Sequence, residues 1–237
     1  MNAALSCGVE PKALSTRLVL MLLAAACATS ARATSPGAAD HSIKQFLSQD
    51  ASPRPYRAVR RLEAENGSRK GWLEAVTEYS PQTGFRYTVT SEGGSDYIRG
   101  KVLKAVLEGE REVIERGEAA RSALVPSNYA FQVDGISPDG HVNVLLVPKR
   151  KERVLVAGTM TLTAADGALV RLQGRLAKNP SFWVKNVDIV RTYERIDGSV
   201  VPVALETRAQ VRLLGDATLR MTYDYSEIDG RKLTSSR

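Results

Sequence analysis

The chain has 237 residues, of which 43% are hydrophobic and 25% are charged, and its formal net charge is +7. This length and apolar content allow one domain with a sizeable core. Two cysteines and two histidines leave little material for thiolate or imidazole metal sites, and the basic excess lacks the basic helix or aromatic-interleaved motif typical of nucleic-acid binding.

The first 33 residues are predicted to be an export signal. Basic residues precede an apolar run at 18–28, which has the length of a signal-peptide core and is too short to span a bilayer as a helix. Residues 31–33, Ala-Arg-Ala, offer a small-x-small cleavage site. Residues 23–27 also resemble a bacterial lipobox, in which Cys27 would be lipidated and become the first mature residue. We therefore expect a periplasmic protein, either soluble or anchored to a membrane as a lipoprotein through Cys27.

Two strand-like runs, 56–65 and 69–79, flank Asn66-Gly67, which is a strong signal for a tight hairpin. A third strand is predicted at 85–90, where aromatic and apolar residues alternate with polar ones. The sheet therefore begins early in the mature chain.

The apolar period changes after residue 95. Apolar residues recur at spacings of three and four from Ile98 to Val113, opposite a charged face, and this pattern predicts one long amphipathic helix at 96–116. Gly117 is predicted to end the helix. Its apolar stripe must be buried against another element.

Two short strands at 129–133 and 142–146 lead into a predicted meander of long antiparallel strands at 154–226. The meander's most regular alternating segments are 168–176, 201–213 and 219–226. The strand at 182–194 is less regular, and a bulge near Asn186 would explain why. A period of two sustained over several strands specifies a sheet with a single apolar face.

The predicted fold class is mainly β (α+β). About ten to eleven antiparallel strands with one dry face are expected to curl into an incomplete half-barrel, covered by the long helix and a possible short helix at 41–47. The predicted domain plan is a signal peptide at 1–33, a linker at 34–54 holding the short helix, a half-barrel domain at 55–228 and a C-terminal tail at 229–237.

The signal peptide, the hairpin, the interrupting helix and the meander together resemble the LolA/LolB/RseB superfamily of exported bacterial proteins, and within it the members described as outer-membrane lipoprotein-sorting-like. The segments that carry the resemblance are Leu146-Val147-Pro148-Lys149-Arg150, Ala165-Asp166-Gly167-Ala168-Leu169-Val170-Arg171, Gly174-Arg175 and Pro180-Ser181-Phe182-Trp183. The resemblance implies an incomplete barrel, plugged by helices, around a hydrophobic cavity that accepts acyl chains. It also implies a strand arginine that holds the lid closed in the empty form, for which Arg60, Arg61 and Arg86 are candidates by position.

The leading functional hypothesis is a non-enzymatic carrier for the acyl chains of a lipid or lipoprotein. The residues predicted to line its cavity are Val102, Val106, Leu107, Val170, Leu172, Trp183, Val203, Leu205, Leu219, Met221 and Tyr223. The basic turn formed by Lys149, Arg150 and Lys151 is either a contact for anionic lipid headgroups or a solvated hairpin corner. The alternative is an RseB-like interaction or stress-sensing module with a filled barrel and an envelope protein partner.

Catalysis is not expected from this composition. His41 and His141 are the whole imidazole supply, and one falls in the predicted linker while the other follows a distant turn. Glu108 and Glu112 lie at helical spacing beside Arg111 and are typical of a solvated helix face. The sequence therefore predicts a protein with no cofactor, no metal and no nucleic-acid partner.

Overall fold

The computed structural model describes residues 36–50, 52–182, 184–212 and 215–234, which belong to one compact unit, Thr34–Arg237. The predicted signal peptide, with Cys27, lies outside the described residues, as does the predicted cavity residue Trp183. The final residues of the predicted tail, 235–237, lie outside them too.

Alternation of apolar and polar residues along the described chain produces eleven strands. They are β1 Tyr56–Asn66, β2 Arg69–Ser80, β3 Gly84–Gly94, β4 Tyr129–Ile136, β5 Val142–Pro148, β6 Val156–Leu162, β7 Leu169–Leu176, β8 Val184–Ile196, β9 Ser199–Val211, β10 Gly215–Ile228 and β11 Arg231–Lys232. Strand β11 lies in the segment predicted to be a tail and pairs with β10.

Within the described residues, two α-helical segments and a short 3₁₀ helix at Glu118–Arg121 accompany the sheet. Helix α1 spans Pro36–Ser48, so it is longer than the short helix predicted at 41–47. Helix α2 is continuous over 20 residues and comprises Asp96–Ile98, a π-helical turn at Arg99–Leu103 and Lys104–Glu115. Gly117 ends it in the left-handed conformation, with φ of 66°, as predicted.

The strands form one antiparallel sheet in the order β3-β2-β1-β10-β9-β8-β7-β6-β5-β4, and the sheet does not close on itself. Most neighbours in this order are also neighbours in sequence, but β1 pairs with β10 and so joins the first hairpin to the last long strand. This open, curved sheet with its helices confirms the predicted mainly β half-barrel class.

Local turn chemistry follows the sequence closely. Gly67 adopts φ of 59° in the β1–β2 hairpin, where the Asn-Gly signal predicts a left-handed residue. Asn186 has φ of 49°, and the β8–β9 register shifts between Lys185 and Asp188. The predicted bulge near Asn186 is therefore confirmed.

The π-helical turn decides which face of α2 is buried. It places one extra residue in the turn, so the fully buried residues are Ile98, Leu103 and Leu107, each with 0% exposure. The predicted positions Val102 and Val106 lie at the edge of this face and are half-buried.

Two large buried clusters lie on the concave side of the sheet, and a smaller third cluster consists of Ala58, Val201, Tyr225 and Ile228. The α2 cluster packs helix α2 against one half, with Leu62, Ala64, Leu73, Ala75, Phe85, Ile98, Leu103, Leu107, Leu205, Leu219 and Met221. The α1 cluster lies under helix α1 on the other half, with Ala39, Tyr129, Val142, Val144, Leu146, Leu155, Met160, Leu162, Leu169 and Leu172. Both helices therefore serve as covers for the sheet's apolar face, so the segment predicted as a linker contributes to the core.

Candidate functional site

A cavity of about 400 Å³ lies beside the ends of the two helices, where neither cover fills the half-barrel. Helix α1 and the segment after it form one wall, the loop at 122–125 forms another, and the sheet forms the floor. The apolar lining consists of Phe46, Leu47, Pro53, Ala123, Leu124, Val125, Leu169, Val200, Val201, Pro202 and Ile228. The polar lining on the sheet and on α2 consists of Tyr56, Arg60, Glu110, Tyr193, Tyr223 and Tyr225.

Arg60 is the buried charge at this site, with only 2% of its surface exposed. Its two terminal nitrogens donate to the Glu110 carboxylate on helix α2, with Nη1 at 2.6 Å from Oε2 and Nη2 at 3.0 Å from Oε1. Nη2 also donates to the hydroxyl of Tyr56. The bidentate pair is the direct polar link between the sheet and helix α2 in the described cavity lining.

Three aromatic rings enclose the Arg60 guanidinium. Its carbon lies 4.6 Å from the ring centre of Tyr223, 5.1 Å from Phe85 and 5.5 Å from Tyr56. These distances place the cation within range of the negative ring faces, which partly replace lost hydration. The aromatic cage and the Glu110 carboxylate therefore make the buried charge tolerable.

The strand pattern explains why Arg60 points inward. Ala58 and Leu62, two residues away on either side, are 1% and 0% exposed, so the arginine occupies an inward position of β1. Its cross-strand partner on β10 is Tyr223. Glu110 falls on the buried line of α2, three residues after Leu107.

The electrostatics of the site favour a permanently charged Arg60 among neutral phenols. Burial lowers the pKa of Arg60, but its hydrogen bonds to the Glu110 carboxylate, together with charge interactions with Tyr223 and Glu110, raise the pKa above the ordinary value. Burial also raises the pKa values of Tyr56, Tyr223 and Tyr225, although the Arg60 cation opposes each shift. The tyrosine hydroxyls therefore remain hydrogen-bond donors at neutral pH.

The tyrosines form an ordered polar floor. The rings of Tyr223 and Tyr225 stack at 5.9 Å, and Tyr56 meets Tyr225 edge-on at 5.8 Å. The hydroxyl of Tyr225 donates to the carbonyl of Pro202 at 2.8 Å. These aromatic contacts and this hydrogen bond hold the three tyrosine side chains in place without a ligand.

The structure distributes the predicted cavity residues over several places. Tyr223 lines the cavity. Leu107, Leu205, Leu219 and Met221 belong to the α2 cluster, with Val102 and Val106 packed against it, and Leu172 belongs to the α1 cluster. Val170 is half-buried, and so is Val203, which lies between Pro202 and Ala204 where the β8–β9 register shifts.

In the basic turn at 149–151, one residue is paired and the other two are exposed. Arg150 donates to the Glu152 carboxylate at 2.7 Å and to the Arg121 carbonyl at 3.2 Å. Lys149 and Lys151 are exposed. The turn lies outside the lining of the cavity.

Among the described residues, no group of three or more His, Cys, Asp or Glu side chains is arranged to hold a metal ion. His141 instead contacts Asp139, with Nδ1 2.7 Å from Oδ2. None of the described helices combines the length and apolar character needed to span a bilayer.

Sequence reasoning missed Glu110 and the apolar wall from α1 and the 122–125 loop. Glu110 is a charged residue at an inward position of an amphipathic helix, and this break in the pattern is a signal that identifies it. The wall carries no comparable signal, because its residues come from two loops and a helix end that only the tertiary fold brings together.

Three solved structures show how this fold compares with known proteins. A LolA superfamily protein from Nitrosomonas europaea is 9% identical, over 83% of this chain and 94% of its own, with a TM-score of 0.37. A DUF1329 family protein from Desulfovibrio piger is 9% identical, over 79% of this chain and 90% of its own, with a TM-score of 0.35. A chain of the Pseudomonas aeruginosa MucA/MucB complex is 11% identical, over 80% and 94%, with a TM-score of 0.23.

One of these structures is of a LolA superfamily protein, and LolA belongs to the group that the sequence resembles. No protein-family model and no curated protein matches the chain. At these identities and TM-scores the likenesses carry no conclusion about ligands or partners, so the function has to be argued from the cavity and its residues.

Proposed function

We propose that the chain is a non-enzymatic binding protein of the bacterial periplasm that holds an acyl chain of a lipid or lipoprotein in the cavity beside α1 and α2. The observation that carries this proposal is the cavity of about 400 Å³ with its apolar wall. Moving an alkyl chain from water to such a wall gains about 0.8 kcal/mol per buried methylene. No catalytic group is required for this role.

The size of the cavity limits the cargo. Its volume of about 400 Å³ falls near the lower end of small-molecule sites, which span roughly 300–1,000 Å³. One alkyl chain fits this space better than several. The proposal is therefore a single-chain ligand, or one chain of a larger lipid whose remainder stays outside.

Arg60 is proposed as the arginine that holds the lid closed. Of the three candidates it faces inward and binds helix α2, whereas Arg61 is 42% exposed and pairs with Glu63 and Glu74. Arg86 is exposed as well. Because Arg60 and Glu110 line the cavity, separating them would widen it.

Uptake of an uncharged fluorescent apolar probe tests the proposal directly. Ala123→Trp fills the cavity from the 122–125 loop and is expected to abolish most of the uptake. Ala120→Trp is the matched control, because Ala120 is exposed on the preceding 3₁₀ turn. Equal uptake by both variants, or none by the unmodified chain, contradicts the proposal.

Mass spectrometry of the protein isolated from its native envelope gives an independent check. We expect a co-purifying lipid that is lost in Ala123→Trp. Recovery of a stable protein partner with no lipid would instead favour the RseB-like interaction module.

A further inference from the structure

A second inward-facing arginine lies close to the cavity. Arg191 on β8 pairs across the sheet with Leu172 on β7 and with Leu205 on β9. Both leucines are buried on the concave face, with 7% and 8% exposure. Directly opposed residues of antiparallel strands share a face, so Arg191 also points to the concave side, between the α1 and α2 clusters.

The neighbours of Arg191 include residues of the cavity lining. The phenols of Tyr193 and Tyr223 and the carboxylate of Glu110 raise the pKa of Arg191, with Tyr193 contributing most, and burial opposes the shift. These three residues line the cavity. Arg191 therefore adds a second positive charge beside the polar end of the same cavity.

Arg191 lacks a carboxylate partner among the described residues. Arg191 forms no ion pair within the described part of the chain, and its Nε is buried without a hydrogen-bond partner there. Glu110 is already engaged by both terminal nitrogens of Arg60. Asp50 and Arg54 also line the cavity, with opposite charges; both are exposed, and Arg54 pairs with Asp229 at 2.9 Å.

Arg60 in the cavity lining and Arg191 beside that lining thus share one nearby carboxylate, that of Glu110. An uncompensated buried charge is costly, and a ligand that supplies the missing negative charge recovers much of that cost. An arginine binds a carboxylate through short, charge-assisted and often bidentate hydrogen bonds. The neighbouring phenols of Tyr193 and Tyr223 add hydroxyl donors that suit the same anion.

We propose that the site selects single-chain amphiphiles with one negative charge, and specifically long-chain carboxylates, whose head lies against Arg191 and the two tyrosine hydroxyls. This inference rests on the acyl-chain binding proposed above. The alkyl chain then lies along the apolar wall formed by Phe46, Leu124 and Val125. A ligand head with one negative charge balances the excess positive charge of the two arginines over Glu110. A neutral head leaves that positive charge unbalanced, and a cationic head increases it.

Displacement of the uncharged fluorescent probe by amphiphiles of one chain length tests the selection. The heads to compare are a carboxylate, an alcohol, a trimethylammonium group and a lysophosphatidylglycerol. We expect the carboxylate to bind roughly tenfold or more tightly than the alcohol, since hydrogen bonds to charged groups reach that size. The trimethylammonium amphiphile should bind more weakly than the alcohol.

Variants of Arg191 test whether this residue causes the preference for the carboxylate over the alcohol. Arg191→Met should bring the carboxylate and the alcohol to similar affinity, while Arg191→Lys should keep most of the preference because it keeps the charge. Arg208→Met is the matched control, because Arg208 is exposed on the neighbouring strand β9. The unmodified chain alone suffices for the main comparison, so poor folding of one variant does not prevent the test.

The possible outcomes separate the two proposals. Equal binding of the carboxylate and the alcohol overturns the charge selection and leaves acyl-chain binding standing. The same is true if Arg191→Met retains the preference. Tighter binding of the lysophosphatidylglycerol overturns the choice of a carboxylate, and failure of both the probe and all amphiphiles to bind overturns both proposals.

Discussion

Two regions of the concave face, the α2 cluster and the cavity, differ in how completely side chains fill them. Under α2, leucines from four strands and the helix close the space, and Leu62, Leu73, Leu103 and Leu107 are each 0% exposed. Beside it, where the sheet carries Arg60 and tyrosines, a cavity of about 400 Å³ remains.

This difference follows from the side chains rather than from the backbone. Leucines pack into the grooves of a covering helix and leave few voids. Arginine and tyrosine side chains cannot be packed as freely, because the guanidinium must keep its hydrogen bonds and each hydroxyl must stay hydrogen-bonded to protein or water. One continuous sheet therefore supports both tightly packed clusters and a region with space for a ligand.

The largest expected contrast is between a leucine deletion in the α2 cluster and one in the cavity lining. Leu73→Ala removes a fully buried side chain from the α2 cluster, and we expect it to lower the free energy of unfolding by about 2–5 kcal/mol. Leu124→Ala removes a half-buried side chain that already borders the cavity. Its cost should be well below that of Leu73→Ala, since fewer contacts are lost.

Urea denaturation of both variants measures this contrast. Equal m-values with a larger drop in midpoint for Leu73→Ala would confirm it. Similar losses in the two variants would mean that the 122–125 loop is packed as tightly as the α2 cluster, and that the proposed difference between the two regions is wrong.

The second contrast concerns how α1 is held against the sheet. Gly167 has φ of 64°, and a Cβ there would collide with the carbonyl oxygen of Ser42 and the amide nitrogen of Phe46 on α1. Gly84 has a similar φ of 68° with no atom within 4 Å of such a Cβ. Both Gly→Ala changes cost about 1–2 kcal/mol of left-handed strain, but Gly167→Ala must also displace α1.

Hydrogen exchange of the α1 amides distinguishes these two costs. We expect faster exchange in Gly167→Ala than in Gly84→Ala, together with weaker probe binding, because α1 forms a wall of the cavity. Unchanged α1 exchange in Gly167→Ala would show that the helix tolerates the extra methyl group and is not seated as closely as described.

Much of the sheet was predictable because its signals are local. The alternating strands, the Asn66-Gly67 hairpin and the bulge at Asn186 each depend on neighbouring residues, and all are present. The pairing of β1 with β10 is not local, because it joins segments far apart in sequence. Alternation shows that each strand has an inner face, but it does not identify its neighbour.

The candidate site was less predictable for related reasons. The π-helical turn centres the buried line of α2 on Leu103 and Leu107, so Leu107 is buried as predicted, whereas Val102 and Val106 lie at the edge of the buried face, a shift that a pattern at 3.6 residues per turn does not show. Arg60 was recognised only as one candidate of three, since its partner Glu110 lies 50 residues away.

The smallest expected contrast is in how the free energy of unfolding falls at alkaline pH, and it depends on the buried Tyr223 of the cavity. Burial raises the pKa of Tyr223 above the ordinary value of 10.0, so above that pH the unfolded chain releases a proton that the folded chain keeps. Folding stability is therefore retained below pH 10 and lost as the pH rises beyond it, by up to roughly 1.4 kcal/mol per pH unit for one such group. Tyr223→Phe should flatten the fall in unfolding free energy by about that amount, whereas Tyr97→Phe, a change at a 47% exposed ring, should leave it unchanged. Urea denaturation from neutral pH to about pH 11 measures both slopes, and equal slopes would mean that the phenol of Tyr223 meets water in the folded protein.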